Sequence, residues 1–207
     1  MFFVGLDLGK SQDPAAVAVV DRPERPAAFR TSSTQLLAVR LLERMALGTP
    51  YPQVVERVRE ILAIPELRGQ SVLVVDGTGV GAPVVDMLRM ARLGCEICAV
   101  TMTSGERASQ NGSSWNVPKR DLIASVQVAL ERKELRIASR LKDAGVLVKE
   151  LLDMKVTVKA GGRTRMGADG CGQHDDLVIA VALACWRARR GMVGPGAQGL
   201  VPGICGF

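Results

Sequence analysis

Aromatic residues make up only 3% of this 207-residue chain. That argues against base stacking on an aromatic platform as the main mode of contact with a nucleic acid. Histidine occurs once, at His174. One histidine cannot build a histidine-based metal centre, and no serine or cysteine nucleophile is evidently paired with it; a capping or supporting hydrogen-bond role suits it. The five cysteines are an odd number with no disulfide-like rhythm. Cys95 and Cys98 have the spacing of half a zinc site, but no second pair matches, and their apolar surroundings suit buried thiols. The apolar run from Val178 to Trp186 is too short to span a bilayer. No basic segment followed by a cleavable apolar stretch opens the chain, so a cytoplasmic location and no membrane partner are expected. Internal repeats are absent.

Two phosphate-loop look-alikes fail on spacing. Gly5-Leu6-Asp7-Leu8-Gly9-Lys10-Ser11 has three residues where a P-loop needs four, and its lysine leads toward a strand rather than a helix. Gly77-x-Gly79-x-Gly81 follows a strand, but its third glycine comes one residue early for a dinucleotide turn.

What the chain does have is positive charge. Its formal charge is +6, with a pI near 9.4, which favours a polyanionic partner. The excess is clustered at Lys119 and Arg120, Arg132 and Lys133, Arg136 to Lys142, and Lys155, Lys159, Arg163 and Arg165.

The periodicity gives an order of elements. Residues 2–8 and 15–21 form an antiparallel hairpin around an Asp13-Pro14 turn. A third short strand is expected near residues 27–32. Val54 to Ile64 has helical spacing. Val72 to Asp76 is a continuous apolar run, as in a strand covered on both faces. A helix from Val84 to Leu93 and a strand from Cys95 to Val100 make a parallel crossover. Residues 103–117 form a polar loop. Helices follow over 119–133 and 140–152. A hairpin comes next (154–158 and 163–167, turning at Gly161-Gly162), then a closing helix over 173–190. Residues 1–190 form one domain, and 191–207 a Gly/Pro-rich tail. The fold class is α/β: a ribonuclease-H-like mixed central sheet flanked by helices, with an added β-hairpin.

Three stretches carry acids where a purely structural sequence would avoid them. Asp7 sits in an apolar strand, Asp76 ends another, and Asp175 and Asp176 open an apolar helix. An unpartnered buried carboxylate costs several kcal/mol, about the cost of any buried charge left without a cation. The strand order places Asp7 and Asp76 side by side, with Asp175 or Asp176 brought across by the closing helix. Oxygen ligands so arranged suit Mg²⁺ or Mn²⁺. The ordinary alternatives are a turn at Asp76-Gly77 and a macrodipole role for the helix acids.

These residues also carry a family likeness. Val74-Val75-Asp76-Gly77-Thr78-Gly79-Val80-Gly81 with Val84 to Leu88 resembles the nuclease domain of the large terminase subunit of tailed bacteriophages. So do Lys119 to Leu130, Leu135-Arg136-Ile137, Gly172 to Ala180, and the leading Gly5-Leu6-Asp7. The resemblance implies an endonuclease that cuts concatemeric double-stranded DNA during genome packaging, with Asp7, Asp76 and one or both of Asp175 and Asp176 holding two divalent cations. It also implies an ATPase motor domain, a small terminase subunit and a portal as partners. The chain has no P-loop, so translocation does not carry over. Lys119 and the late hairpin, with Lys155, Lys159, Arg163 and Arg165, are the candidate DNA contacts. The rival readings are a Holliday-junction resolvase with the same acids and an actin- or sugar-kinase-like ATP binder. The latter needs two duplicated subdomains, for which the chain is short.

Overall fold

The apolar runs become strands of a single mixed sheet in the computed structural model, which describes residues 1–9, 13–23, 36–79, 81–158, 164–167 and 174–190. In chain order the elements are β1 (Phe2–Asp7), β2 (Ala16–Asp21), β3 (Leu37–Arg44), α1 (Tyr51–Leu62), β4 (Ser71–Asp76), α2 (Gly81–Met90), β5 (Glu96–Thr103), β6 (Ser109–Asn111), β7 (Ser114–Pro118), α3 (Lys119–Glu131), β8 (Leu135–Ile137), α4 (Ala144–Asp153), β9 (Lys155–Val158), β10 (Thr164–Gly167) and α5 (Asp176–Arg189). Eight strands form one sheet in the order β6-β7-β5-β4-β1-β2-β3-β8, and β9 and β10 form a separate hairpin. In the large sheet, β2 and β6 run against their neighbours. The β4–β1, β4–β5, β5–β7 and β3–β8 pairs are parallel.

The central strands are buried on both faces, which is why they read as continuous apolar runs rather than alternating ones. The pleat still sorts their side chains. Phe3, Val72 and Val74 pack in one cluster with α3, α4 and α5. Val4, Leu6, Leu73 and Val75 pack in the other, with α1 and α2. By the same alternation Asp7 and Asp76 fall on the α5 face.

α5 is buried nearly all round, from Asp176 to Ala188, as expected for a helix lying across the middle of a sheet. Its seat depends on Gly5, where a Cβ would stand 1.9 Å from the carbonyl oxygen of Ala180. The glycine before the first acid is thus a packing requirement: any side chain there would lift α5 off β1. Leu177, Ile179 and Leu183 are fully buried beneath it, each worth about 1.5–3 kcal/mol of apolar burial.

Several expectations need correction. The stretch 103–117 is not a loop. It holds the end of β5 and the β6–β7 hairpin, which turns at Gly112 with φ of +59°. The third strand of the sheet is β3, whereas the strand expected at 27–32 lies outside the described residues. Pro83 sits inside the first turn of α2 rather than before it, where no helical N–H bond is lost. α4 starts at Ala144, four residues later than expected, and α5 at Asp176. β8 was not anticipated. The β9–β10 hairpin is present; its turn, and the tail from residue 191, lie outside the described residues.

Candidate metal centre

Register builds the site from the strands upward. On the parallel pair β1–β4, Leu6 stands opposite Val75, so Asp7 and Asp76 meet as neighbours one position further on. Both leave the sheet at the same edge and on the face covered by α5. Three of the acids are buried, with Asp7 9%, Asp76 8% and Asp176 3% exposed. The loops after the strands are shaped around the carboxylates. Gly9, with φ of +56°, turns its N–H back toward Asp7 Oδ1 at 3.5 Å. Thr78 N donates to Asp76 Oδ1 at 2.8 Å, and Thr78 Oγ1 accepts from Met102 N at 2.8 Å, pinning the loop to β5.

The closing helix supplies the other acids. Asp175 is the N-cap of α5 and Asp176 its first residue. Asp175 Oδ2 accepts from Lys119 Nζ at 2.6 Å. Lys119 opens α3 directly after β7, which ends at the same sheet edge. Asp176 Oδ2 lies 3.4 Å from Arg44 Nη2 at the end of β3 and 3.8 Å from His174 Nδ1.

The charges repel one another. Burial, then Asp76, Asp176 and Asp175, push the Asp7 carboxyl well above its ordinary value, with the Gly9 N–H acting against them. Asp176 is pushed up to about 6 by burial. Arg44 and His174 pull it back, and Asp13 and Asp175 add to the rise. The other three acids anticipated from the sequence are therefore all within electrostatic reach of Asp7.

Sequence reasoning missed other members. Asp13, taken as a turn residue, lies with its Oδ1 3.6 Å from His174 Nδ1. Asp13, His174 and Asp176 offer ligand atoms all within 4.8 Å of one another. Arg44 and Glu150 were missed too. Glu150 falls on the buried stripe of α4 with Ala144 and Leu147; an acid on an apolar stripe was the available signal. Of the candidate DNA contacts, Lys119 faces Asp175, Lys155 and Arg165 lie on the β9–β10 hairpin, and Lys159 and Arg163 lie outside the described residues.

The donor set fits a hard divalent cation. It is rich in carboxylate oxygens, and Asp176 Oδ2 and His174 Nδ1 are buried with no hydrogen-bond partner among the described residues. A cation beside them would relieve both the repulsion and the missing partner.

Among the described residues, the thiols Cys95, Cys98 and Cys185 form no second centre. Cys98 is buried and its thiol pushed up to about 11, chiefly by that burial. Among the described residues, no helix is long and apolar enough to cross a membrane.

No family model and no curated protein matches the chain. Solved structures do. The chain is similar to the large terminase nuclease from thermophilic phage G20c, with 24% identity over 89% of this chain and 80% of that one, at a TM-score of 0.64. That nuclease has also been solved with bound magnesium and with bound cobalt. The large terminase nuclease domain of Thermus phage P74-26 is 22% identical over 89% of this chain and 77% of that one, at a TM-score of 0.58. The large terminase nuclease domain of bacteriophage SPP1, with bound Mn, is 12% identical over 90% of this chain and 85% of that one, at 0.56. The shared fold is ribonuclease-H-like.

Proposed function

We propose that this chain is a metal-dependent DNA endonuclease, and that Asp7, Asp76, Asp175 and Asp176 hold two Mg²⁺ or Mn²⁺ ions. The observation that carries the reading is the convergence of these acids at one sheet edge, where burial and their mutual repulsion raise the Asp7 carboxyl. A fold that did not use the acids would have little reason to retain so costly an arrangement. The likeness to phage terminase nucleases, some with bound metal, supports it.

Asp7, on the strand between β4 and β2, would serve as a ligand to both ions. Asp76 would hold one, and Asp175 and Asp176 the other. When bound, such ions supply an activated water and stabilise the departing oxygen in phosphodiester hydrolysis. The protein's part is to fix the ligands. Gly9 and Thr78 orient the strand-end carboxylates, while Arg44 and Lys119 balance the helix acids. The substrate is double-stranded DNA, held through its backbone by the basic hairpin and the start of α3. The finer reading is cutting of concatemeric phage DNA in the infected cell, beside an ATPase motor, a small terminase subunit and a portal.

Digestion of supercoiled plasmid tests this. Nicked and linear product with Mn²⁺ or Mg²⁺, none with EDTA, and none from Asp76→Asn is the expected result. Cleavage indifferent to EDTA would overturn the metal dependence. Absence of cleavage together with thermal stabilisation by ATP would favour a nucleotide binder.

A further inference from the structure

A helix begins with N–H groups that have no intrahelical acceptor, and the N-cap side chain commonly supplies one. Aspartate is among the residues best suited to that task. Asp175 occupies the N-cap of α5, yet its carboxylate makes no capping bond. Its backbone is set accordingly. With ψ at 17° it lacks the extended conformation from which a capping side chain reaches forward over the first turn. The carboxylate turns to Lys119 instead.

The donor left over is satisfied from another element. Val178 N, in the first turn of α5, donates to Glu150 Oε2 at 3.1 Å. Glu150 projects from α4, is buried, and offers its other oxygen to Arg44 Nη2. Arg44 is held from a second direction, since its backbone N donates to Asp143 Oδ2 at 3.0 Å. A carboxylate on the buried stripe of a helix is costly without partners. Here each oxygen has one, and both partners lead to the acidic centre: Val178 is two residues past Asp176, and Arg44 lies beside Asp176 itself.

We propose that Glu150 is a positioning residue of the centre. It caps α5 in place of Asp175 and so leaves the Asp175 carboxylate available as a ligand. This rests on the reading of the acids as metal ligands. Were Asp175 to cap its own helix, the Val178 N–H would draw its charge away from the centre and hold it turned toward the helix axis. Supporting groups of this kind typically change metal affinity by about 10–100-fold when removed.

Two double variants isolate the acceptor. Arg44→Met/Glu150→Gln and Arg44→Met/Glu150→Met both remove the buried ion pair as a unit, which is often tolerated where removing one partner is not. They differ in whether an oxygen remains for Val178 N. The measurements are Mn²⁺ binding by calorimetry, melting temperature, and a crystal structure of each. Both variants lose Arg44 alike, so the glutamine variant, which keeps an oxygen for Val178 N, sets the reference Mn²⁺ affinity. The methionine variant is expected to bind about tenfold more weakly at a similar melting temperature, with Asp175 turned onto Val178 N. Equal Mn²⁺ affinity in the two variants, or Asp175 still on Lys119 in the methionine variant, overturns the proposal. If the double variants do not fold, Glu150→Asp keeps the charge on Arg44 and withdraws the oxygen from Val178. It should weaken Mn²⁺ binding likewise, and wild-type affinity there overturns the proposal. If wild type itself takes up no Mn²⁺ at the acids, the metal reading falls, and the position of Asp175 in the variant structures still decides the capping role.

Discussion

Lys119 Nζ lies 2.6 Å from Asp175 Oδ2, joining the start of α3 to the N-cap of α5. Both side chains are partly exposed, so the pair is worth about 1 kcal/mol at most. A cation at the centre competes with Lys119 for the same oxygen. Lys119→Met should therefore raise Mn²⁺ affinity in the absence of DNA by about fivefold, the equivalent of that energy. Calorimetric titration of the two proteins is the check. Equal affinities would mean that Asp175 is not a ligand.

Asp7→Asn should abolish plasmid cleavage and leave the fold intact. Asparagine keeps the volume and removes the charge that burial and three neighbouring acids disfavour. The metal-free variant should then melt higher than wild type near neutral pH. A gain of about 1 kcal/mol moves a domain of this size by about 2–4 °C. Nicking at the wild-type rate would remove Asp7 from the mechanism.

Stability should also depend on pH in a definite direction. Asp176 is raised from 3.8 to about 6 in the folded protein, and Asp7 is raised too. The folded state then holds these protons more tightly than the unfolded chain does. Their contribution is present below the ordinary carboxylate range and is lost as pH rises through the raised values, about 6 for Asp176. The melting-temperature gap between metal-free wild type and Asp7→Asn, in which most other groups cancel, should widen between pH 4 and pH 7. Mn²⁺ should close it at the upper end. A gap that stays constant with pH, with or without Mn²⁺, would contradict the raised carboxyls.

The strands that carry the site were legible because their burial is total. Phe2 to Asp7 and Val72 to Asp76 are apolar on both faces, so an acid at the end of each stands out. What was hidden has physical reasons. β3 reads Leu-Ala-Val-Arg-Leu-Leu-Glu-Arg, rich in helix formers, and its strand state comes from pairing with β2 and β8. Ser109 to Asn111 of β6 is exposed throughout and carries no apolar alternation to betray an edge strand. The approach of Asp13 to His174 spans most of the chain, and no local pattern encodes it. Glu150 was visible only as an acid on an apolar stripe, without its partners Arg44 and Val178.

The basic β9–β10 hairpin makes a separate prediction. Neutralising Lys155, Lys159, Arg163 and Arg165 together should weaken binding to unrelated duplexes alike. It should also flatten the slope of log affinity against log salt, because each lost phosphate contact releases fewer counterions. A salt titration of wild type and the quadruple variant on two duplexes decides it. An unchanged slope would place the DNA on another face and leave the hairpin charges a solubility role.

The most direct measurement is anomalous diffraction from crystals soaked in Mn²⁺, since the whole account turns on the acids serving as ligands. A peak between Asp7 and Asp76, with Asp175 or Asp176 drawn toward the ions, is the predicted result. Mn²⁺ found only elsewhere, beside Cys95 and Cys98 for example, would contradict it.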